Sequence, residues 1–290
     1  MVQEEEAGLV TAALETLAQI LQRGGARAAG DQAHVTGVLN IVKRVMRGQC
    51  ACLEAGGEGE DQGEGVLEAA VEVIPPLGRA LGPARFGPCF TGLLALLLRK
   101  AGSKASAAER SCSVRAIAES VAPLCGAGVL AALLRHLLPV LRDSCRDAEE
   151  DCRNNAVFAL GELLLWGGQE LGQHRGSILT SLTQMLKVGI HQNHRRSLLP
   201  SLCQTESCPS VLDNLAGALA RAVTADVSGP QVAELVEEVR ARLPLQDRAS
   251  SKGSRRFHNH EEGPYNAKQA ANVKSAIRIG TPNQEKALVL

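Results

Sequence analysis

Aromatic side chains are almost missing from this chain: four Phe, one Tyr and one Trp among 290 residues, 2% of the total, although apolar residues as a group reach 45%. A core built without rings must come from Leu, Ala and Val, which suits close helix–helix packing and argues against a β-sandwich. Alternation of apolar and polar residues is nearly absent as well, so the chain reads as all-α. Long apolar runs are lacking. Those around Leu93–Leu98 and Leu163–Trp166 are far too short to span a bilayer. The opening MVQEEE has the wrong charge for a secretory leader. A soluble protein with no membrane insertion is expected.

Catalytic signatures are missing too. There is no Gly-rich phosphate loop, no G-x-S-x-G elbow and no HExxH helix, and Cys50-x-Cys52 is not the spacing of a redox pair. No enzyme and no cofactor are expected. The nine cysteines are scattered and odd in number, which fits thiols used as small hydrophobes in a reducing compartment rather than a disulfide framework. Net charge is formally zero but unevenly placed. Residues 247–290 carry eight Lys/Arg against four Asp/Glu, leaving an acid excess on the remainder. A body without a basic stripe offers nothing to phosphates, so direct nucleic-acid binding is not expected, and a basic protein partner suits it better.

What is present is repetition. RSCSVRAIAE from Arg110, RNNAVFALGE from Arg153 and LDNLAGALAR from Leu212 place small or apolar residues in matching slots, such as Ala116, Ala159 and Ala218. The first two lie 43 residues apart and the second pair 59, one period plus 16. The leucine-rich runs beginning at Leu93 and Leu137 repeat with a similar step of 44. A helical recurrence of that length predicts an α-solenoid of antiparallel helix pairs, HEAT- or armadillo-like.

The expected organisation is an N-terminal helix pair over 1–53, an acidic mobile loop over 54–65, repeats over 66–246 and a disordered tail over 247–290. Within the repeats the pairs are Phe86 to Lys100 with Ala107 to Leu124, and Val129 to Asp143 with Glu149 to Trp166. A further first helix starts at Ile178, with a partner from Pro209 to about Val223 and a last helix from Pro230 to Leu243. Pro75-Pro76 predicts a kink or break, and Gly82-Pro83 a turn. Residues 187–203 show no clean stripe and read as an insert that accounts for the excess spacing.

Between Val66 and Gln246, PCFTGLLALLLRK, AERSCSVRAIAESVAPL, LRHLLPVLRDSCRDAEEDCRNNAVFALGELLLWGG and LDNLAGALARAV, in that order, resemble the C-terminal half of the importin-β family of nuclear import receptors. The resemblance implies a fragment or aberrant product of such a receptor. It implies basic cargo, histones and ribosomal proteins among them, with nucleoporins as partners and residence in cytoplasm and nucleus. The Ran GTPase would be contacted by the family's N-terminal repeats. A HEAT scaffold assembling a multiprotein complex is the alternative.

Candidate cargo residues are the carboxylates of second helices, which line the cargo-facing side in this architecture: Glu119, Glu149, Glu150, Asp151 and Glu162. Glu119 and Glu162 share a slot and are expected to stack along one edge. The loop acids Glu58, Glu60, Asp61 and Glu64 could speed encounter with Lys/Arg-rich cargo. Asn155 and Asn214, in matching slots, are expected to hydrogen-bond the loop joining two helices. Asp147 is expected to cap the helix that follows it, and Trp166 to pack between repeats. His191, His194, His258 and His260 lack the companion ligands of a metal site, so none is expected.

Overall fold

A computed structural model describes residues 2–49, 60–102, 104–126, 128–195 and 209–224. The expected tail, the helix over 230–243 and positions 196–203 lie outside them. The chain divides into two units, Met1–Gly172 and Gln173–Leu290. Every described element is helical.

In the first unit, α1 is Val2–Gly24, α2 Ala26–Ala29, α3 Gln32–Met46, α4 Glu60–Glu72, α5 Ile74–Lys100, α6 Ala107–Leu124, α7 Val129–Ser144 and α8 Glu150–Trp166. A 3-10 turn, Gly168–Leu171, closes it. The expected pairs appear as α5 with α6 and α7 with α8. Helix α6 starts on a capping box in which Ser106 Oγ accepts from the Glu109 amide and Glu109 Oε2 accepts from the Ser106 amide, both at 3.1 Å.

Helices α1, α4, α6 and α8 stack in sequence, as do α3, α5 and α7. The unit is thus two rows, first helices in one and second helices in the other, joined by a continuous Leu/Ala/Val core. Leu93, Leu97, Leu134, Leu141, Ala159 and Leu163 are all wholly buried there.

This arrangement corrects two expectations. Helices α1 and α3 are not partners: α1 heads the second-helix row against α4 and α5, while α3 belongs to the first-helix row. Two stripes adjacent in sequence say only that each needs a partner, not which one. The acidic stretch is not loop as far as residue 65, because α4 begins at Glu60. Its acids fall in the first turns, where the helix dipole favours them. The break expected at Pro75-Pro76 falls at Val73, and the prolines occupy the first turn of α5, where a missing N–H costs nothing.

The turn at Gly82 is a true kink, with φ 70° and ψ 168°, a conformation few side chains accept. It folds the two halves of α5 together so that Phe86 lies against Gly78, where an added Cβ would come within 2.7 Å of the ring. Gly78→Ala is therefore expected to destabilise by about 1–3 kcal/mol, the usual cost of overpacking, measurable by urea denaturation. Residues 63–100 are long and apolar enough to cross a membrane by composition. Here they break at Val73 and Gly82, and their leucines face neighbouring helices.

The second unit contains α9, His174–Arg195, and α10, Pro209–Thr224. Helix α9 continues through residue 195, so the first nine positions of the expected insert are helical. Ile178, Leu179 and Leu182 are buried along it, as are Leu215, Ala218 and Ala222 along α10.

Buried thiols behave as the composition implies. Burial pushes Cys112 and Cys152 up to about 11 and Cys125 and Cys145 up to about 12. These four should resist alkylation in the native protein at neutral pH and react on unfolding, as mass spectrometry would record.

Candidate functional site on the second-helix row

Glu64, Glu68 and Glu72 follow one another at four-residue steps on α4, the spacing that puts side chains on one helical face. That face meets α6 at Arg115. One guanidinium nitrogen, Nη2, donates to Glu68 Oε1 at 2.9 Å and also to Glu72 Oε1. Glu119 lies one turn further along α6 and is half-buried. Glu15 on α1 is exposed and adds its charge to the same field. Three carboxylates from two successive second helices, Glu68, Glu72 and Glu119, therefore act on a single cation, and Glu15 of α1 adds its charge at Glu72.

Electrostatics at Glu72 reflect that imbalance. Burial raises its affinity for a proton; Arg115 opposes this, while Glu68, Glu119 and Glu15 add to it. Burial likewise works against the Arg115 charge, and Glu72, Glu68 and Glu119 more than offset it. Across α1, α4, α6 and α8 there are 14 acidic and 4 basic residues, a formal charge of −10. Chemically, the row is a fixed anionic surface with acceptors in excess of donors, suited to Lys and Arg side chains.

The structure sorts the sequence candidates unevenly. Glu119 joins the cluster. Glu149, Glu150 and Asp151 are exposed at the amino end of α8, where the dipole favours them. Glu162 is buried at 8% exposure, and its Oε2 accepts from Trp166 Nε1 at 2.9 Å. The expected edge of Glu119 and Glu162 therefore does not form as a solvent-facing ladder: a shared slot leaves one carboxylate on the surface and the other beneath an indole. Trp166 is half exposed instead of packed between repeats. Glu60 and Asp61 lie on α4 and Glu64 is half-buried there, whereas Glu58 is outside the described residues. Of the histidines, His191 and His194 fall on α9, and His258 and His260 lie outside the described residues.

Asn155 does not bond its own repeat's loop. Its Nδ2 donates to Ser111 O at 3.1 Å and Ser111 Oγ at 3.0 Å, on the preceding second helix. The two amide protons thus tie α8 to α6. Asn214 is buried on α10. Asp147, expected as a cap, instead forms a bidentate ion pair with Arg110, at 2.7 Å to Nε and 2.8 Å to Nη2, while also accepting from the Glu149 amide at 3.0 Å. Replacing Asn155 by Ala should cost about 1–2 kcal/mol in thermal or urea unfolding, since two hydrogen bonds go and Ser111 O loses a partner.

Two stacked rows of antiparallel helices, with a charged second-helix face, define an armadillo/HEAT α-solenoid. No protein-family profile matches the chain. It has importin-4 homologues: it is 32% identical over 250 residues to importin-4 of Mus musculus and 29% identical over 251 residues to that of Homo sapiens. Each alignment takes in 84% of this chain but only 21% and 22% of the relative, so the chain spans about a fifth of their length. Among solved structures, the designed armadillo repeat protein YIII(Dq)4CqI superposes with a TM-score of 0.51 at 19% identity, covering 92% of both chains. A Kap121p mutant superposes at 0.50 and 12% identity, over 91% of this chain and 25% of that one. These two likenesses bear on the fold alone.

Proposed function

We propose that this chain is a segment of a nuclear import receptor that holds basic protein cargo on its second-helix row. The observation that carries the reading is the cluster of Glu68, Glu72 and Glu119 around Arg115, with Glu15 adding its charge at Glu72 and the importin-4 homologues as context. Lys/Arg-rich segments, as in histones and ribosomal proteins, are the cargo class that such a face would take. Passage between cytoplasm and nucleus, with nucleoporin contact and release by Ran, belongs to the same reading.

The test is anisotropy of a fluorescent Lys/Arg-rich peptide against the full chain. Glu15→Gln/Glu119→Gln leaves both Arg115 pairs intact and should weaken binding about threefold to tenfold, as loss of one exposed and one half-buried charge contact implies. Affinity should also fall steadily with salt. Binding that ignores both salt and these substitutions would refute the assignment of the site.

A further inference from the structure

The opposite row carries the opposite charge. Helices α3, α5 and α7 hold 8 basic residues and 1 acidic one, a formal +7. The basic surface that whole-chain composition argued against is therefore present, but only once folding has separated first helices from second.

Two contacts set the register of this face. Lys43 Nζ on α3 lies over Gly92 of α5, 3.4 Å from where a Cβ would be. A Cβ on Gly87 would meet Val129 Cγ2 at 2.9 Å, which aligns the start of α7 with Gly87. Arg85 and Arg99 stand two turns to either side of Gly92 on α5, about 21 Å apart along the helix at ~1.5 Å per residue. Arg44, Arg85, Arg99 and Arg135 are exposed, Lys43 and Arg142 half-buried. None of the six has a carboxylate partner among the described residues. The Arg142 Nε is buried with no acceptor. Between the arginines of α5 the exposed side chains are small: Pro88, Thr91, Gly92 and Ala95.

We infer that the first-helix row is a second docking surface, and that it takes an extended acidic peptide. Guanidinium forks without a carboxylate partner recognise carboxylates in pairs, and of these arginines Arg135 donates its Nε to His136 Nε2 at 3.0 Å. The floor of small residues at Gly92 lets a thin main chain run between the arginines, whereas a rigid duplex would ride on their tips. Phe86 and Phe90 are wholly buried, so no Phe, Tyr or Trp of these three helices offers bases a stacking platform. This proposal is independent of what the second-helix row binds.

The probe is a fluorescent peptide of about twelve alternating Glu and Ser residues, enough to run the length of the face at ~3.4 Å per residue. It should bind the full chain at low salt, and Arg85→Glu/Arg99→Glu should weaken it about tenfold or more. Gly92→Glu, at an exposed helical position that tolerates a side chain, should do the same with an unchanged circular dichroism melt. Glu15→Gln/Glu119→Gln should leave this affinity as it was. The proposal fails if the peptide does not bind, or if binding survives both basic-row variants. It fails equally if a duplex or single-stranded oligonucleotide of matched charge binds more tightly and is lost with the same substitutions.

Discussion

Phe86→Ala is expected to lower the stability of the Met1–Gly172 unit by about 3–5 kcal/mol, the cost of emptying a large ring from a site that cannot collapse. Phe86 is wholly buried, its ring centroid is 5.6 Å from that of Phe90 at an interplanar angle of 57°, and it lies against the bare backbone of Gly78. The ring fills the inside of the kink at Gly82, so neither half of α5 can close on the void without undoing the bend. Urea denaturation followed by circular dichroism would measure the loss. A cost below about 1 kcal/mol would mean the two halves are held by other contacts. Because repeats are stabilised largely by their neighbours, the midpoint should fall without a large change in slope.

Asp147→Ala should cost about 3 kcal/mol, since it strands a cation that the fold has largely removed from water. Only 15% of the Arg110 side chain and 13% of the Asp147 side chain are exposed, and the remaining Arg110 bond is from Nη1 to Ala105 O at 2.8 Å. A double-mutant cycle with Arg110→Ala should give a double variant less damaged than the sum of the singles. The pH dependence has a definite sign. The Arg110 guanidinium holds the Asp147 carboxyl below its ordinary value of 3.8, against the penalty of burial, with the Glu149 amide and Arg153 assisting. The unfolded chain therefore takes up that proton first as the solution is acidified. The stabilisation is full above about pH 4 and fades as pH falls through the folded value. Asp147→Ala should flatten this part of the stability profile, and an unchanged acid limb would contradict the role given to the pair.

Most of the helices, and the period that relates them, could be read in advance because both rest on local spacing. Ala107–Leu124 lies where its apolar stripe placed it, and α7 and α8 differ from expectation by a residue at one end. The acidic cluster around Arg115 is half legible in the sequence. Glu119 stands out by its helix, whereas for Glu68 and Glu72 the available signal is their four-residue step on one face. Arg110 was noticed as the first letter of a repeat and not as a charge. Its partner Asp147 looked like a cap because a helix follows it, and no local rule distinguishes an Asp that caps from one that reaches 37 residues back.

By itself, then, the sequence determined that the chain forms helices of these lengths, with leucine, alanine and small thiols inside, repeating every 43 or so residues. Periodicity carries that information because each helix buries one face wherever its partner lies. Which helices became neighbours was decided by stacking alone: α1 with α4 rather than α3, Glu162 inward and Glu119 outward, carboxylates gathered on one row and arginines on the other. Charge summed along a chain is blind to such sorting, because two rows that alternate in sequence cancel on paper and separate only in space.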